Sequence, residues 1–403
     1  HTRGIKVVID FVINHCSSRH PWFQAAIDPK SDKHDWFIWS DTRPAWNGPW
    51  GEVVWHPNPD KSQSNFYYGL FNHDMPDLNY RNPAVTAEIK ETTKFWLTEM
   101  NVDGFRLDAI RHLIENGKVQ ENTPETHAWL RDFQAYCKSV KPDCFTVGEV
   151  WSDTRTIASY VNGQEMDSAF DFELSARLVE AIKTGKGQTL GDAIRNTCEL
   201  FPRTVAGSSA AATFLTNHDQ TRVMTLLGGD QMKAKAAASI LLTMPGTPFI
   251  YYGEEIGMEG DKPDPNLRTP MQWTGEPGAG FTTGTPWRKP RSNPKVNVNS
   301  QEADRNSLLS HYRKMISIRR ENDVLRHGDF TPMATSTPSL LMFRRSLAGQ
   351  SVVVGVNLTN GVLAHDEIDR EPQLRRLKKN GKHPLMVPSE LLPGEAFVIG
   401  VDN

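Results

Sequence analysis

A parallel α/β fold follows from three features of the sequence. Mainly apolar runs alternate with helical stretches from residue 5 to about residue 322. Three of the runs deliver a carboxylate at their C-terminal end: Asp108 after 102–107, Glu149 after 144–148 and Asp219 after 211–216. Beyond residue 325 the alternation gives way to short strand-like runs parted by turn signals. Apolar strands separated by helices imply a parallel sheet covered on both faces. In a parallel β/α barrel, catalytic groups collect at the strand C-termini.

The elements can be justified in order. Residues 5–13 are a largely apolar strand that ends on Asn14 and His15. Residues 16–82 are rich in Trp, Pro, Asn, Asp and His without a clear period. So long an irregular stretch is a functional loop or a small inserted domain. Asn82-Pro83 then opens a helix over 83–101, a cap followed by proline in the first turn. Strands are predicted at 102–107, 144–148, 166–171, 211–216 and 247–252, with helices at 124–140, 175–184, 188–200, 231–244 and 304–321. Residues 257–303 form a second irregular stretch, rich in Gly, Pro and Asn. Both irregular stretches follow predicted strands, so both are expected over the face that carries the acids. At the C-terminal end, 339–345, 351–357 and 396–401 read as strands. Asn360-Gly361, Lys379-Asn380-Gly381 and Pro393-Gly394 mark the turns between such runs. The expected domains are a catalytic β/α part (1–15 and 83–324), an insertion (16–82) and an antiparallel β domain (325–403).

Composition narrows the partners. The chain has 403 residues and a net charge of -3, which gives no reason to expect nucleic acid or an anionic membrane. No apolar run approaches the roughly 20 residues that span a bilayer. Cys16, Cys137, Cys144 and Cys198 show no metal-ligand spacing and are expected as free thiols, although Cys137 and Cys144 could pair. The chain opens at His1 directly before a strand. An upstream extension is therefore expected, and localisation and oligomeric state are left open.

The acids carry the chemistry. Arg106 and Asp108, two apart on a strand, share one face. A guanidinium there favours the ionised carboxylate that a nucleophile needs; the alternative is a strand-end ion pair that only stabilises the sheet. Glu149 lies beside Val150 and Trp151, where desolvation would keep it protonated as a general acid; the alternative is a solvated acid at a loop start. Retaining glycosidases use one carboxylate of each kind. Asn217-His218-Asp219 and Asn14-His15 add hydrogen-bonding groups at two further strand ends, and neutral histidine suits sugar hydroxyls. The insertion carries Trp36, Trp39, Trp46, Trp50, Trp55, Phe66, Tyr67, Tyr68 and Phe71. Most are expected to form the insertion's own core, with one or two left to line a cleft.

Five motifs in order resemble the α-amylase family, glycoside hydrolase family thirteen. They are Asp10-Phe11-Val12-Ile13-Asn14-His15, Met75-Pro76-Asp77-Leu78-Asn79, Gly104-Phe105-Arg106-Leu107-Asp108-Ala109, Gly148-Glu149-Val150-Trp151 and Phe214-Leu215-Thr216-Asn217-His218-Asp219. Each alone is weak; all five at sensible spacings are specific. The resemblance implies a TIM-type (β/α)8 barrel with an inserted domain B and a C-terminal antiparallel β-sandwich. Six barrel strands are counted here, so the first two βα units are expected to be absent. It implies Asp108 as nucleophile, Glu149 as acid/base and Asp219 as transition-state stabiliser. His15, Arg106, His218 and Arg222 would bind substrate.

The implied reaction is double displacement with retention on α-1,4-linked maltodextrins, with transfer as a side activity. All three acids are present, which argues against the non-catalytic, transporter-associated relatives. Arg268-Thr269-Pro270-Met271-Gln272-Trp273 resembles α-glucosidases and oligo-1,6-glucosidases, whereas Met75 is similar to an intermediate group between those enzymes and α-amylases. Thr123-Pro124-Glu125-Thr126-His127 resembles maltose-isomerising trehalose synthases. The resemblance also implies a structural calcium ion held by Asn14, Asp77 and the carbonyl of His112, oxygen ligands that suit a hard cation. The alternative is that Asn14 and Asp77 only hydrogen-bond backbone. No organic cofactor is implied.

Overall fold

A computed structural model describes residues 1–205, 207–291, 293–374 and 388–402. The predicted turn at Lys379-Asn380-Gly381 lies outside the described residues. The chain forms two compact units, residues 1–151 with 156–170, and residues 152–155 with 171–403.

In the first unit β1 (Val8–Phe11), β5 (Gly104–Leu107), β6 (Phe145–Gly148) and β7 (Ser168–Phe170) pair in parallel in that order. Phe11 is level with Leu107, and Leu107 with Gly148. The next residues, Asp108 and Glu149, therefore leave adjacent strands at the same height. Gly104 permits that pairing, because a Cβ there would lie 1.9 Å from the Phe145 carbonyl oxygen.

The helices between these strands are stopped and started by their caps. Asn82 accepts from the Ala84 N–H ahead of helix Pro83–Thr98. Thr123 accepts from the Thr126 N–H ahead of helix Pro124–Val140. Each such cap is worth about 1 kcal/mol. Val85, Ile89, Thr93 and Leu97 form the buried stripe of the first helix, at the four-residue spacing of one helical face.

The insertion folds on three short antiparallel strands, β2 (Trp39–Ser40), β3 (Trp55–Pro57) and β4 (Phe66–Tyr68), in the order β2-β4-β3. Val54, Trp55, Tyr68 and Leu70 make its core, with Trp46, Phe66 and Phe71 packed against it. Most of the aromatics are thus used internally, while Trp50 stays 58% exposed. The insertion is closed at its ends by Leu78 N–H to Asn14 O (3.0 Å) and Cys16 N–H to Pro76 O (3.2 Å).

The second unit holds β8 (Ala211–Thr213) and β9 (Thr247–Pro248), also parallel. The parallel strands therefore number six among the described residues. β9 is shorter than the predicted 247–252, because Gly253 at φ 86 and a 3-10 turn over Glu254–Ile256 bend the chain away. Helix Phe172–Thr184 starts earlier than predicted; Asp171 caps it and also accepts from Thr154 and Thr197.

The C-terminal sheet is antiparallel, in the order β10 (Asp329–Met333), β11 (Leu340–Leu347), β12 (Gln350–Asn357), β15 (Ala396–Asp402). β13 (Leu363–Ala364) and β14 (Glu390–Leu391) form a separate pair. Ala348 and Gly349, both at positive φ, make the two-residue turn between β11 and β12. All four cysteines are free, with Cys137 and Cys144 buried and Cys16 and Cys198 half-buried.

Candidate active site

Arg106 organises the candidate acids of the first unit. It is level with Asp10 across β1 and β5, and its Nη1 reaches Asp10 Oδ1 at 2.7 Å and Asp108 Oδ1 at 2.6 Å. Its Nη2 reaches Glu149 Oε2 at 2.8 Å. Burial works against the guanidinium charge, but Glu149, Asp108 and Asp10 more than offset it and hold the group firmly protonated. One cation thus ties the nucleophile candidate to the acid candidate.

The turn after Asp108 is bent for the purpose. Ala109 sits in the left-handed region at φ 49, and its N–H donates to Glu149 Oε2 at 3.3 Å. A non-glycine residue held there stores strain of about 1–3 kcal/mol, which commonly accompanies functional sites. Glu149 is pushed up to about 7, chiefly by burial. Arg106 opposes the rise, while the charge and hydrogen bond of Asp108 reinforce it. Desolvation was the expected cause, although Trp151 itself is 47% exposed. A carboxyl that keeps its proton near neutrality beside a second carboxylate is the acid–nucleophile division a retaining glycosidase needs.

Two histidines stand next to this pair. Burial lowers the pKa of His15, partly offset by the charge of Asp108, and its ring packs on Phe71 at 5.3 Å. Burial also takes His112 down to about 4. Its Nδ1 bonds Gln120 O at 2.8 Å, and Arg111 Nε donates to its Nε2 at 2.9 Å. Both rings are neutral near pH 7, so His15 offers hydrogen bonds without a competing charge. Asn14 Nδ2 donates to Asp77 Oδ2 at 3.2 Å, which joins two of the three expected calcium ligands.

In the second unit, Asp219 follows β8 and is held from both sides. His218 Nε2 lies 3.1 Å from Asp219 Oδ2, and Arg268 Nη2 lies 2.5 Å from Asp219 Oδ1. Arg268 also donates to the His218 carbonyl at 3.1 Å and reaches Asp264 at 3.3 Å. Arg222 is 1% exposed and faces inward. It donates to Leu267 O (2.8 Å) and Tyr252 O (2.7 Å) and lies over the rings of Tyr251 and Tyr252. In this geometry it braces the 252–267 loop.

Sequence reasoning gave no role to Asp10 or Arg268. Asp10 lies in a quoted motif, but its contact depends on cross-strand register. Arg268 also lies in a quoted motif, 49 residues from its partner Asp219.

The chain is similar to known proteins. A family model described as alpha amylase, catalytic domain, matches residues 1–328. The chain is 39% identical to alpha-amylase 3 of Dictyoglomus thermophilum, over 89% of this chain and 68% of that protein. It is 31% identical to a trehalose synthase/amylase of Mycobacterium tuberculosis, over 93% of this chain and 69% of that protein. The crystal structure of an α-amylase from H. orenii superposes with a TM-score of 0.82 at 33% identity, covering all of this chain and 81% of that one. The architecture is accordingly that of a (β/α)8-barrel glycoside hydrolase with a C-terminal antiparallel sheet domain. With 328 of its residues matched by one family model and its acids following strands of the parallel sheet, this chain belongs to the α-amylase catalytic-domain family.

Proposed function

We propose that the chain is a retaining α-glucan hydrolase that cleaves α-1,4-glucosidic bonds in malto-oligosaccharides. The observation that carries this reading is the Arg106-linked pair, Asp108 beside a Glu149 that holds its proton to about pH 7. Glu149 protonates the glycosidic oxygen while Asp108 attacks C1 from the opposite face, giving a glycosyl ester and releasing the leaving chain with a free 4-hydroxyl. Glu149, now a carboxylate, takes a proton from water, which attacks C1 and releases Asp108 with the α-configuration restored. A sugar hydroxyl in place of that water gives transfer. His15 and His218 hold hydroxyls, Asp219 grips the distorted ring and steadies its developing positive charge, and Arg222 keeps the loop beyond β9 in place.

A second reading is isomerisation of maltose to trehalose, favoured by residues 123–127 and by the trehalose synthase/amylase relative. That segment also has plain structural work. Thr123 caps a helix, Thr126 Oγ1 accepts from the Ile114 N–H, and His127 lies 2.7 Å from Glu165. Product analysis on maltose and on maltotriose to maltoheptaose separates the readings. We expect mixed shorter malto-oligosaccharides, released as α-anomers. Trehalose as the main product from maltose selects isomerisation, and β-anomers overturn both.

Calcium belongs to the same proposal. No cluster of three or more His, Cys, Asp or Glu side chains able to hold a metal occurs among the described residues. Yet Asn14 Oδ1 is buried without a hydrogen-bond partner, beside a fully buried Asp77 whose carboxyl is raised by desolvation. An orphaned amide oxygen next to a buried carboxylate fits a hard cation. Asn14, Asp77 and the His112 carbonyl would hold it, and the ion would fasten the insertion to the strand ends. Millimolar calcium is expected to raise the melting temperature by several degrees over chelator-treated protein. The Asn14→Ala variant should show no such rise. An equal rise in both proteins, or in neither, sinks the assignment.

A further inference from the structure

A cavity of about 520 Å³ lies in the first unit between the insertion and the loop Leu113–Gly117. None of Asp108, Glu149, His15 or Arg106 lines it. Its floor is aromatic, with Trp46, Trp55 and Tyr68 meeting at ring separations of 5.2–5.9 Å. Its rim is polar and includes Arg81, Glu115 and Asn116. An apolar floor with a few polar groups, in a volume of this size, is the usual make-up of a small-molecule site.

Two atoms in the wall lack partners. Trp55 is 7% exposed, yet its indole N–H donates to nothing; Glu115 Oε1 is buried and accepts nothing. A buried polar group left unpaired costs about 1–3 kcal/mol, so the wall is short of one acceptor and one donor. A sugar hydroxyl is both. A pyranose also has an apolar C–H face for the aromatic floor, and vicinal hydroxyls for the planar guanidinium and amide of the rim.

We infer that this cavity is a second saccharide-binding site that holds a segment of α-glucan away from the catalytic acids. The identity of the ligand rests on the hydrolase reading above. Holding a long chain at two places raises its effective concentration at the acids, whereas a trisaccharide gains nothing. Trp46 is half-buried at the floor and Asn116 is exposed on the rim, so the Asn116→Ala variant probes the site even where Trp46→Ala disturbs packing.

The test is migration through amylose-containing gels of the Glu149→Gln protein, with and without each of these two substitutions. Alongside it, kcat/KM is measured for maltotriose and soluble starch with Glu149 intact. Expected are loss of retardation with Trp46→Ala, weaker retardation with Asn116→Ala, and about tenfold lower kcat/KM on starch. Values for maltotriose should stay within about twofold. Undiminished retardation in both variants overturns the site. Hydrolysis of maltotriose without any retardation of the Glu149→Gln protein also removes the site but leaves the hydrolase reading standing. Retardation lost with Trp46→Ala and weakened with Asn116→Ala in a protein that hydrolyses no glucan keeps the site and removes the hydrolase reading.

Discussion

Glu149→Gln is expected to lower kcat/KM on malto-oligosaccharides by about 100-fold or more, the usual worth of a positioned general acid. The carboxamide preserves the shape and a hydrogen bond to Arg106 or Ala109, so folding survives, but it has no proton to give the leaving oxygen. The loss depends on the leaving group. An α-glucosyl fluoride needs no protonation, so its first step should be nearly spared. The pH profile adds a second signature. As the proposed acid Glu149 works protonated, and burial pushes it up to about 7, so the native enzyme should lose activity about tenfold per unit above that pH. The glutamine variant should lack this alkaline limb. An unchanged limb would mean that another group supplies the proton.

The parts of this site that were legible in the sequence are those fixed by local pattern. Apolar runs ending in Asp108, Glu149 and Asp219 signal strands whatever the rest of the chain does. Asn82-Pro83 and Thr123-Pro124 mark helix starts because the cap and the proline act within one turn. Contacts set by register were not legible. Asp10 shares Arg106 only because β1 and β5 pair with those two residues level, and no short-range signal states that register. Arg268 reaches Asp219 through a loop without period. The direction of a side chain is equally hidden. Arg222 lies three residues from Asp219 and is a substrate ligand by family resemblance, yet carbonyls of Leu267 and Tyr252 draw it inward. The end of β9 is hidden in the same way: Ile250, Tyr251 and Tyr252 have strand propensity, while Gly253 at positive φ bends the chain.

Asp108→Asn should be the more damaging substitution, with a loss of about 10⁴-fold or greater, because removing a nucleophile removes the covalent route itself. An activated leaving group should not rescue it, in contrast to Glu149→Gln. Azide distinguishes the two roles by stereochemistry. In the Glu149→Gln protein, Asp108 still forms the β-linked ester from an activated substrate. Azide, which needs no base, then attacks from the opposite face and gives an α-glycosyl azide after two inversions. In the Asp108→Asn protein, azide can enter only on the face that Asp108 occupied, while Glu149 still protonates the departing oxygen. One inversion then gives the β-glycosyl azide. Arg106 touches both carboxyl groups, and the configuration of the azide reports which of them attacks. A β-azide from Glu149→Gln together with an α-azide from Asp108→Asn would exchange the two assignments. The linked pair, with its single cation, would remain the reacting centre.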